Sequence, residues 1–477
     1  MINFPNRREV IISSAATVAV LIGTSALPAV PRAQPQNKVR RDVNELAPND
    51  PILESYRRAV TAMRKLDVDE PENPLGWRQQ AAIHDDFCPH ENWFFLPWHR
   101  AYLGYFEDIC RTLSGDEGFV LPYWNWTRNP QIPAAFWGDR NPLQHRRFAN
   151  PQSTLASEFI GLRVIERVMR KPNFESFASL PSTRPRGGSG GGYGELEGLP
   201  HNSVHGFVGG DMRTLMSPLD PIFWLHHCNV DRIWASWNAN NNANSADQAL
   251  ANFVLGGNFT DRSGASVDVK ISDLYDTTSR GYEYDRLEPK PSPRIGGVLG
   301  PDMAFVPIGA SSQRLAVMGE AGSPLSASVA VKSELLNSLA TNLGKTAIKG
   351  AELAERPAEL VTLRITGVHP PEDPRAYVRV FLNCPYLTEE TPINDPHYVS
   401  TFTFFTDKAA THGEHGEERM TYAFDVTDTL DALRRSGRYP EGAIEPQLLA
   451  FGGDGRPKEL KVDGGAELNF LRAERIQ

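Results

Sequence analysis

The sequence has few cysteines and no excess of positive charge. These two shortages bear on disulfide bonds and on nucleic acid binding. Its 477 residues contain 4 cysteines, which are scattered without close pairing. An even number permits disulfides, but this spacing specifies none. With 49 Lys and Arg against 58 Asp and Glu, the formal charge is -9. No basic stripe with interleaved aromatic residues is present, which argues against nucleic acid as a partner.

Repeats and nucleotide motifs are also missing. No internal repeat or heptad is evident, and the glycine-rich stretch RGGSGGGYG at 186–194 has no phosphate-loop Lys or Ser/Thr after it. We therefore expect a flexible loop there rather than a nucleotide site. Hydrophobic residues make up 40% of the chain and charged residues 22%, which is typical of a globular protein. The length favours two domains.

The N-terminus carries a targeting signal. Arg7 and Arg8 precede an apolar run from Val10 to about Leu27, and small residues and prolines come after it. The run is too short and too rich in Ala, Ser and Gly for a good membrane span, and its order is typical of twin-arginine export. An uncleaved membrane anchor is the alternative. We predict an export signal over 1–34 and a periplasmic or secreted protein that has no membrane contact once the signal is removed.

Two regions of different texture lie beyond the signal. Asp50 and Pro51 form a helix cap and a first-turn proline, and helical periodicity then recurs in segments as far as residue 239. From about residue 359, segments such as ELVTLRITGV alternate apolar and polar residues between turns. This alternation predicts a small antiparallel β-sandwich or barrel. The predicted organisation is a mainly α domain over 35–285, a linker over 286–358 with a Pro-rich start, and a β-sandwich over 359–477.

Histidines are concentrated in the predicted α domain. Of 12 histidines, eight lie between residues 84 and 227. His201 and His205 are four apart, which stacks both imidazoles on one helix face. His226 and His227 are adjacent and differ by about 100° around a helix, so only one of them is expected to join a site. The other candidates in this region are His84, His90 and His99.

As a group, these histidines predict a metal site. A lone histidine is more often a hydrogen-bonded core residue, but six buried imidazoles are hard to satisfy in pairs without a metal. Two trios of imidazoles, without the carboxylate that non-haem iron usually takes or the thiolates of structural zinc, favour a pair of copper ions that binds O2. A three-histidine zinc site with a water nucleophile is the alternative, and it would need only one trio.

Four stretches give this pattern a family likeness. They closely resemble segments of the type-3 copper proteins, that is tyrosinases, catechol oxidases and haemocyanins. The four stretches are HDDFCPHENWFFLPWHRAYLGYFE, LPYWNWT, LPHNSVHGFVGGDM and SPLDPIFWLHHCNVDRIW. The likeness covers roughly residues 45–285 and ends in GYEYD at 281–285, which resembles the tyrosine motif that closes plant-type catalytic domains. It implies a four-helix bundle around a dicopper site.

The resemblance assigns ligands position by position. It implies that the first copper is held by His84, His90 and His99, and the second by His201, His205 and His227. The choice of His227 over His226 rests on the family pattern alone.

Other positions carry further expectations. Cys88, two residues before His90, stands where some relatives have a thioether to the histidine ring, and a reduced or disulfide-bonded cysteine is the alternative. Asp231 and Arg232 match an Asp-Arg pair, for which structural salt bridges are expected. Asn125 departs from the family, because many relatives have Asp there.

The implied activity is oxidation of phenols by O2. Two Cu(I) ions supply two electrons, which matches the conversion of an o-diphenol to an o-quinone. Ortho-hydroxylation of a monophenol also needs a base. Glu197 and Asn202 stand where relatives competent in hydroxylation hold a water, although the neighbouring Glu195 leaves the choice open. Residues expected at the substrate entrance are Gly206, Thr214 and Leu215.

The C-terminal β region resembles a shielding domain that covers the copper site until it is cleaved or displaced. Phe402 and Phe404 are expected to pack in the sandwich core, with a role as a plug of the site as the alternative. His412 and His415 are expected in a solvated loop, although transient copper binding is an alternative. The implied partners are small phenols and O2. A haemocyanin-like reversible O2 carrier, which would share all six histidines, is the competing function.

Overall fold

The first long helix begins where the sequence predicts its cap. In the computed structural model, which describes residues 38–291, 303–315, 318–346, 359–405 and 419–475, helix α1 spans Pro51–Asp69. The Asp50 side chain accepts a hydrogen bond from Ile52 N at 3.0 Å, and Pro51 occupies the first turn. This satisfies one of the free N–H groups at the helix start. The predicted export signal lies outside the described residues, and so do His412 and His415.

Most helices lie before residue 252, and we call residues 38–291 the helical domain. The helices are α1 Pro51–Asp69, α2 Trp77–Phe87, α3 Phe95–Ser114, α4 Ser157–Ile160, α5 Leu162–Met169, α6 Phe174–Phe177, α7 Asn202–Val208, α8 Ile222–Ala239, α9 Gln248–Ala251, α10 Ser333–Thr346 and α11 Thr427–Arg435. Helices α2, α3, α7 and α8 surround the histidines, and α1 packs on α3. This confirms the predicted helical bundle. Within the described part of the chain, no helix is both long and apolar enough to cross a membrane.

A buried ion network ties the two ends of the helical domain together. Asp231 on α8 accepts from Arg100 Nε at 2.6 Å and lies 3.5 Å from Arg40 Nη1. Tyr282 and Tyr284 donate their hydroxyls to the same carboxylate at 2.6 and 2.5 Å. Burial alone would raise the pKa of Asp231, but these two arginines hold it below its ordinary value. The closing tyrosine motif therefore serves as a structural clasp.

Arg232 has different partners from its neighbour. It forms a salt bridge with Glu288 and donates to Asn229 Oδ1 at 2.9 Å. Asp231 and Arg232 both form structural salt bridges, as expected, but with other residues rather than with each other.

Strands dominate the described residues from Met303 onward, which we call the β-domain. All strands of the described chain are β1 Lys38–Arg40, β2 Val254–Thr260, β3 Ser266–Lys270, β4 Tyr282–Tyr284, β5 Met303–Arg314, β6 Met318–Gly319, β7 Leu325–Ser326, β8 Val329–Ala330, β9 Glu359–Val368, β10 Tyr377–Leu382, β11 Tyr398–Thr403, β12 Met420–Asp425, β13 Ala443–Ile444, β14 Pro446–Phe451, β15 Leu460–Lys461 and β16 Gly465–Arg475. Among the described residues, two four-stranded sheets have the orders β11-β10-β14-β7 and β12-β9-β16-β5. Their pairings are antiparallel, which confirms the predicted β-sandwich class.

Strand β5 lies inside the range predicted as a linker. It pairs with β16 from Arg314↔Gly465 to Met303↔Arg475, with a register shift between Phe470 and Leu471. Pro307 and Gly309 interrupt its sequence pattern, and both residues weaken a strand prediction. Because β5 lies at the edge of its sheet, the missing N–H of Pro307 is tolerated.

The two domains pack directly on each other. Tyr193 of the helical domain adds to the edge strand β12, where Tyr193 N donates to Thr421 O at 2.8 Å and Ala423 N donates to Tyr193 O at 2.9 Å. The rings of Tyr193 and Tyr422 stack at 5.0 Å. Arg379 of the β-domain also forms an ion pair with Glu158 at 2.8 Å. The histidine region therefore lies close to the β-domain.

Candidate metal centre

The first histidine trio joins two helices and the loop between them. His84 lies in the last turn of α2, His99 lies on α3, and His90 lies between these helices. The ring centroids are 5.4 Å apart for His84 and His90, 5.4 Å for His84 and His99, and 5.5 Å for His90 and His99. Three rings at nearly equal spacing can turn their nitrogens toward one point.

The second trio lies next to the first, and we call the region between the two trios the histidine cavity. His201 ends a π-helical turn over Glu197–His201, His205 lies on α7 and His227 lies on α8. Their centroids are separated by 4.6 Å (His201 and His205), 5.0 Å (His201 and His227) and 5.5 Å (His205 and His227). His99 and His227 stack at 4.3 Å, so the two trios face one shared space.

Hydrogen bonds at Nδ1 orient four of the rings. His84 Nδ1 lies 2.6 Å from Leu215 O and His99 Nδ1 lies 2.8 Å from Phe95 O. His205 Nδ1 is paired with Met212 O in the same way, and His201 Nδ1 lies 2.8 Å from Asn202 Oδ1. An Nδ1–H that donates to an oxygen leaves the Nε2 lone pair free to bind a metal.

Several of these Nε2 atoms are buried and lack a hydrogen-bond partner among the described residues: those of His84, His90, His99 and His201. Burial is the main cause that lowers the pKa of all six imidazoles, to about 3 for His99 and about 4 for His205. The rings are therefore neutral near pH 7, which is the form that binds metals. A buried neutral imidazole set of this kind fits a pair of copper ions.

His226 lies beside the second trio. Its ring is 5.2 Å from that of His201 and 5.0 Å from those of His205 and His227. The ligand atoms of these four histidines lie within 4.8 Å of one another. Proximity within this group therefore does not separate His226 from His227. His227 differs in also facing the first trio through His99, which supports its assignment as the ligand.

Cys88 lies against the first trio. Its sulfur is 3.5 Å from His90 Nδ1, and the side chain is buried. His90 is the ligand candidate of this trio that lies outside the helices, so its orientation depends on such contacts.

Glu197 and Glu195 have different surroundings. Glu197 is fully buried and accepts from Glu91 N at 2.8 Å and from the Ser179 hydroxyl. Its burial raises the pKa of the carboxyl well above its ordinary value. Glu195 instead forms ion pairs with Arg167 at 2.6 Å and Lys171 at 3.3 Å. The ion pairs of Glu195 give it a structural role and leave Glu197 as the better candidate base.

The expected entrance residues have separate positions. Leu215 lines a cavity with His90, and its carbonyl faces His84. Thr214 caps a turn, accepting from Met216 N at 3.1 Å. A Cβ added to Gly206 would lie 3.3 Å from the Pro374 carbonyl, so the β-domain covers this glycine.

The side chain that sequence reasoning missed is Phe405. Its ring lies 4.8 Å from His90 and 4.7 Å from His205. Phe402 and Phe404 pack near Tyr422 in the sandwich core, at 3.9 and 6.2 Å, which confirms the expected use of these two residues. Phe405 lies beyond the end of β11, where strand alternation no longer predicts the direction of a side chain.

Comparisons with known proteins agree with this geometry. The sequence model for the common central domain of tyrosinase matches residues 72–155 and 138–240, and a domain of unknown function, DUF7868, matches 304–453. The chain is 28% identical over 491 residues to tyrosinase HcTyr1 of Hahella sp. (strain CCB-MM4), covering 91% of this chain and 98% of that protein. It is 29% identical to chloroplastic polyphenol oxidase C of Solanum lycopersicum over 52% of this chain, and spans about half (47%) of that relative.

A solved structure of latent apple tyrosinase has the same fold, with a TM-score of 0.65 and 22% identity over 91% of this chain and 97% of that one. The tyrosinase model matches the part of the chain that carries both histidine trios, and a tyrosinase is similar to nearly the whole chain, so residues 72–240 are shown to resemble the common central domain of tyrosinase.

Proposed function

We propose that this chain is a copper-dependent oxidase that converts o-diphenols to o-quinones with O2. The observation that supports this most strongly is the pair of imidazole trios that face each other, with His99 stacked on His227. His84, His90 and His99 would hold one copper, and His201, His205 and His227 the other. Copper ions held by these residues would supply the two-electron redox chemistry between a phenol and O2. The protein keeps all six rings neutral by burial, and Nδ1 hydrogen bonds orient those of His84, His99, His201 and His205 so that their Nε2 atoms are free to bind a metal.

The full chain is proposed to be latent. Phe405 packs against His90 and His205, where the ring of a small phenol would have to enter. The adjacent strand is tied to the helical domain, because Asn202 Nδ2 donates to Thr403 O at 3.3 Å. Removal or displacement of the β-domain would withdraw this ring and open the cavity.

Ortho-hydroxylation of monophenols is proposed to depend on Glu197. Its raised pKa suits a carboxylate that takes a proton from a phenol, and hydroxylation needs the phenol as phenolate. Asn202 lies next to His201 and contacts its Nδ1 through Oδ1. The pair would hold a water between substrate and carboxylate, as the family likeness suggests.

A thioether between Cys88 and His90 is proposed to fix the loop-borne ligand. The sulfur lies close enough to the ring for a bond to a neighbouring ring carbon. Forming it removes one hydrogen from sulfur and one from carbon, with O2 as the oxidant. Intact-mass measurement should find the copper-loaded protein lighter by two hydrogens, and peptide mapping should locate the cross-link. An unmodified mass would show that the cysteine stays reduced.

Export by the twin-arginine route remains part of the proposal. It rests on Arg7, Arg8 and the apolar run after them. Replacing both arginines by lysine should retain the protein in the cytoplasm of a host that has this pathway, and unchanged export would contradict the assignment.

The competing function is a reversible O2 carrier. Oxygen uptake with 4-methylcatechol, measured on the copper-loaded chain before and after limited proteolysis, separates the two functions. We expect uptake that rises after cleavage. A protein that binds O2 but consumes none with catechol in either state would be a carrier. Metal analysis should show about two copper ions per chain and little zinc, since a zinc hydrolase would use one trio.

A further inference from the structure

The glycine-rich loop has a position that the proposed oxidase function does not explain. Residues of this loop line one side of a cavity of about 340 Å³, and His90, Leu215 and Phe405 line the other. We call this cavity the mouth, because two of its lining residues contact the histidine site: the ring of His90 lies near that of His201, and the ring of Phe405 near that of His205. Its volume is at the lower end of the range for pockets that take small molecules.

Glycine is required for this loop to approach so closely. Gly190, Gly191 and Gly192 all have positive φ, which side-chain-bearing residues rarely adopt. A Cβ on Gly191 would lie 2.6 Å from the carbonyl of Glu91, the residue after His90. Gly192 N donates to the same carbonyl at 2.6 Å. The loop is therefore fixed against the segment that carries a candidate copper ligand.

Two arginines of this region line the mouth. Arg184 and Arg186 are exposed, and in the described part of the chain neither forms an ion pair with a carboxylate. Arg186 donates to the backbone carbonyl of Asp85, which orients its side chain without neutralising its charge. The carboxylate that lines the mouth, that of Glu91, accepts from Thr421 N of the β-domain.

We propose that Arg184 and Arg186 make this enzyme selective for phenols that carry a carboxylate. The inference rests on the proposed oxidase function. The phenol ring would enter past Phe405 toward the histidines, while the carboxylate stays in the mouth near the guanidinium groups. Two guanidinium cations against the one carboxylate of Glu91 leave the lining of the mouth with a net positive charge, which attracts anions and raises their rate of encounter.

The test uses the copper-loaded full chain with Phe405→Ala, so that the mouth opens into the cavity. The substrates are dihydrocaffeate and its neutral methyl ester, which share the catechol ring. We expect the ratio of their kcat/KM values, acid over ester, to fall about threefold for Arg184→Gln or Arg186→Gln and about tenfold for the double variant. Added salt should lower the ratio in the parent and have little effect in the double variant.

Arg163→Gln is the matched control. Arg163 is exposed and lies outside the mouth, and its replacement by Gln removes the same charge. It should leave the ratio unchanged. An unchanged ratio in the double variant, with normal ester oxidation, would overturn the inference.

A binding measurement keeps the inference separate from the proposed function. Calorimetry of phenylpropionate and phenylpropanamide, which cannot be oxidised as catechols, should show tighter binding of the acid and loss of that preference in the double variant. If no substrate is oxidised, the oxidase function fails and this binding ratio still decides the inference. Equal binding of acid and amide by the parent would overturn it.

Discussion

The histidine cavity and the contact between the two domains are held by different interactions. The cavity is oriented from within the helical domain, since the carbonyls of Leu215, Phe95 and Met212 fix three of its rings. The contact is a short set of polar pairs, such as Ser400 to Glu195 at 2.8 Å, with Phe405 reaching inward. The chemistry therefore depends on the helical domain, whereas access depends on the β-domain.

The largest effect on the histidine cavity is expected from replacing a candidate copper ligand. His99→Ala removes a ring that belongs to the first trio and stacks on His227. We expect loss of one copper and a fall in oxidase activity of more than about 100-fold. Copper content by mass spectrometry and oxygen uptake check this. His226→Ala is the matched control and should keep both coppers. Copper loss in His226→Ala with retention in His227→Ala would reverse the assignment in the second trio.

Glu195 pairs with Arg167 and Lys171 inside the helical domain and accepts from Ser400 across the contact, so it tests the ion pairs that lie beneath this contact. Burial alone would raise the pKa of this carboxyl, but Arg167, Lys171 and Ser400 lower it to about 2. A lowered folded-state pKa stabilises the protein above the ordinary value of 4.5, and this stabilisation is lost as pH falls from there toward 2. Glu195→Gln should therefore lower the free energy of unfolding by about 3 kcal/mol at pH 6, and by progressively less below about pH 4.5.

Melting temperatures of the parent and Glu195→Gln between about pH 3 and 7 measure this difference. Glu158→Gln, which breaks the less buried pair with Arg379, is the control and should cost about 0–1 kcal/mol. A gap between parent and Glu195→Gln that stays constant with pH would contradict the ion-pair origin.

Access is tested at Phe405. Phe405→Ala removes the ring that faces His90 and His205, and should raise the activity of the uncleaved chain about tenfold or more. The physical reason is that displacing a buried Phe side chain costs about 1.5–3 kcal/mol. Oxygen uptake with a catechol, before and after limited proteolysis, is the measurement. Phe405→Trp should keep the chain latent. Equal activity of the parent and Phe405→Ala would show that Phe405 does not block access to the histidines.

The smallest effect is expected on the ratio of two activities. Glu197→Gln should lower tyrosine hydroxylation about tenfold more than catechol oxidation, because Glu197 is proposed to deprotonate the monophenol before hydroxylation. Initial rates with tyrosine and with a catechol give the ratio. Equal losses in both would show that Glu197 acts by supporting Glu91 and Ser179 rather than as a base.

Local sequence rules predicted most of the helical side of the molecule. Asp50 and Pro51 marked a helix start, and the spacing of His201 and His205 brought their rings together, because both features depend on neighbours along one helix. The family resemblance, rather than helix periodicity, drew attention to Cys88 beside His90. These elements are determined by residues a few positions apart.

Features that depend on distant chain segments were not predictable in this way. Strand β5 was missed because Pro307 and Gly309 break its pattern and its partner β16 lies far along the chain. Phe405 was missed because its partners, His90 and His205, lie in another domain. Neither periodicity nor motif spacing carries information on such contacts.

The pairing of Tyr193 with β12 bears on the fate of the β-domain after cleavage. In the uncleaved chain, the helical domain covers the β12 edge of the β-domain sheet through a short parallel bridge. A β-domain released by proteolysis would present that edge to solvent, and uncovered edges pair readily with other chains. We therefore expect the freed fragment to self-associate, which would remove it from solution and make activation of this enzyme irreversible.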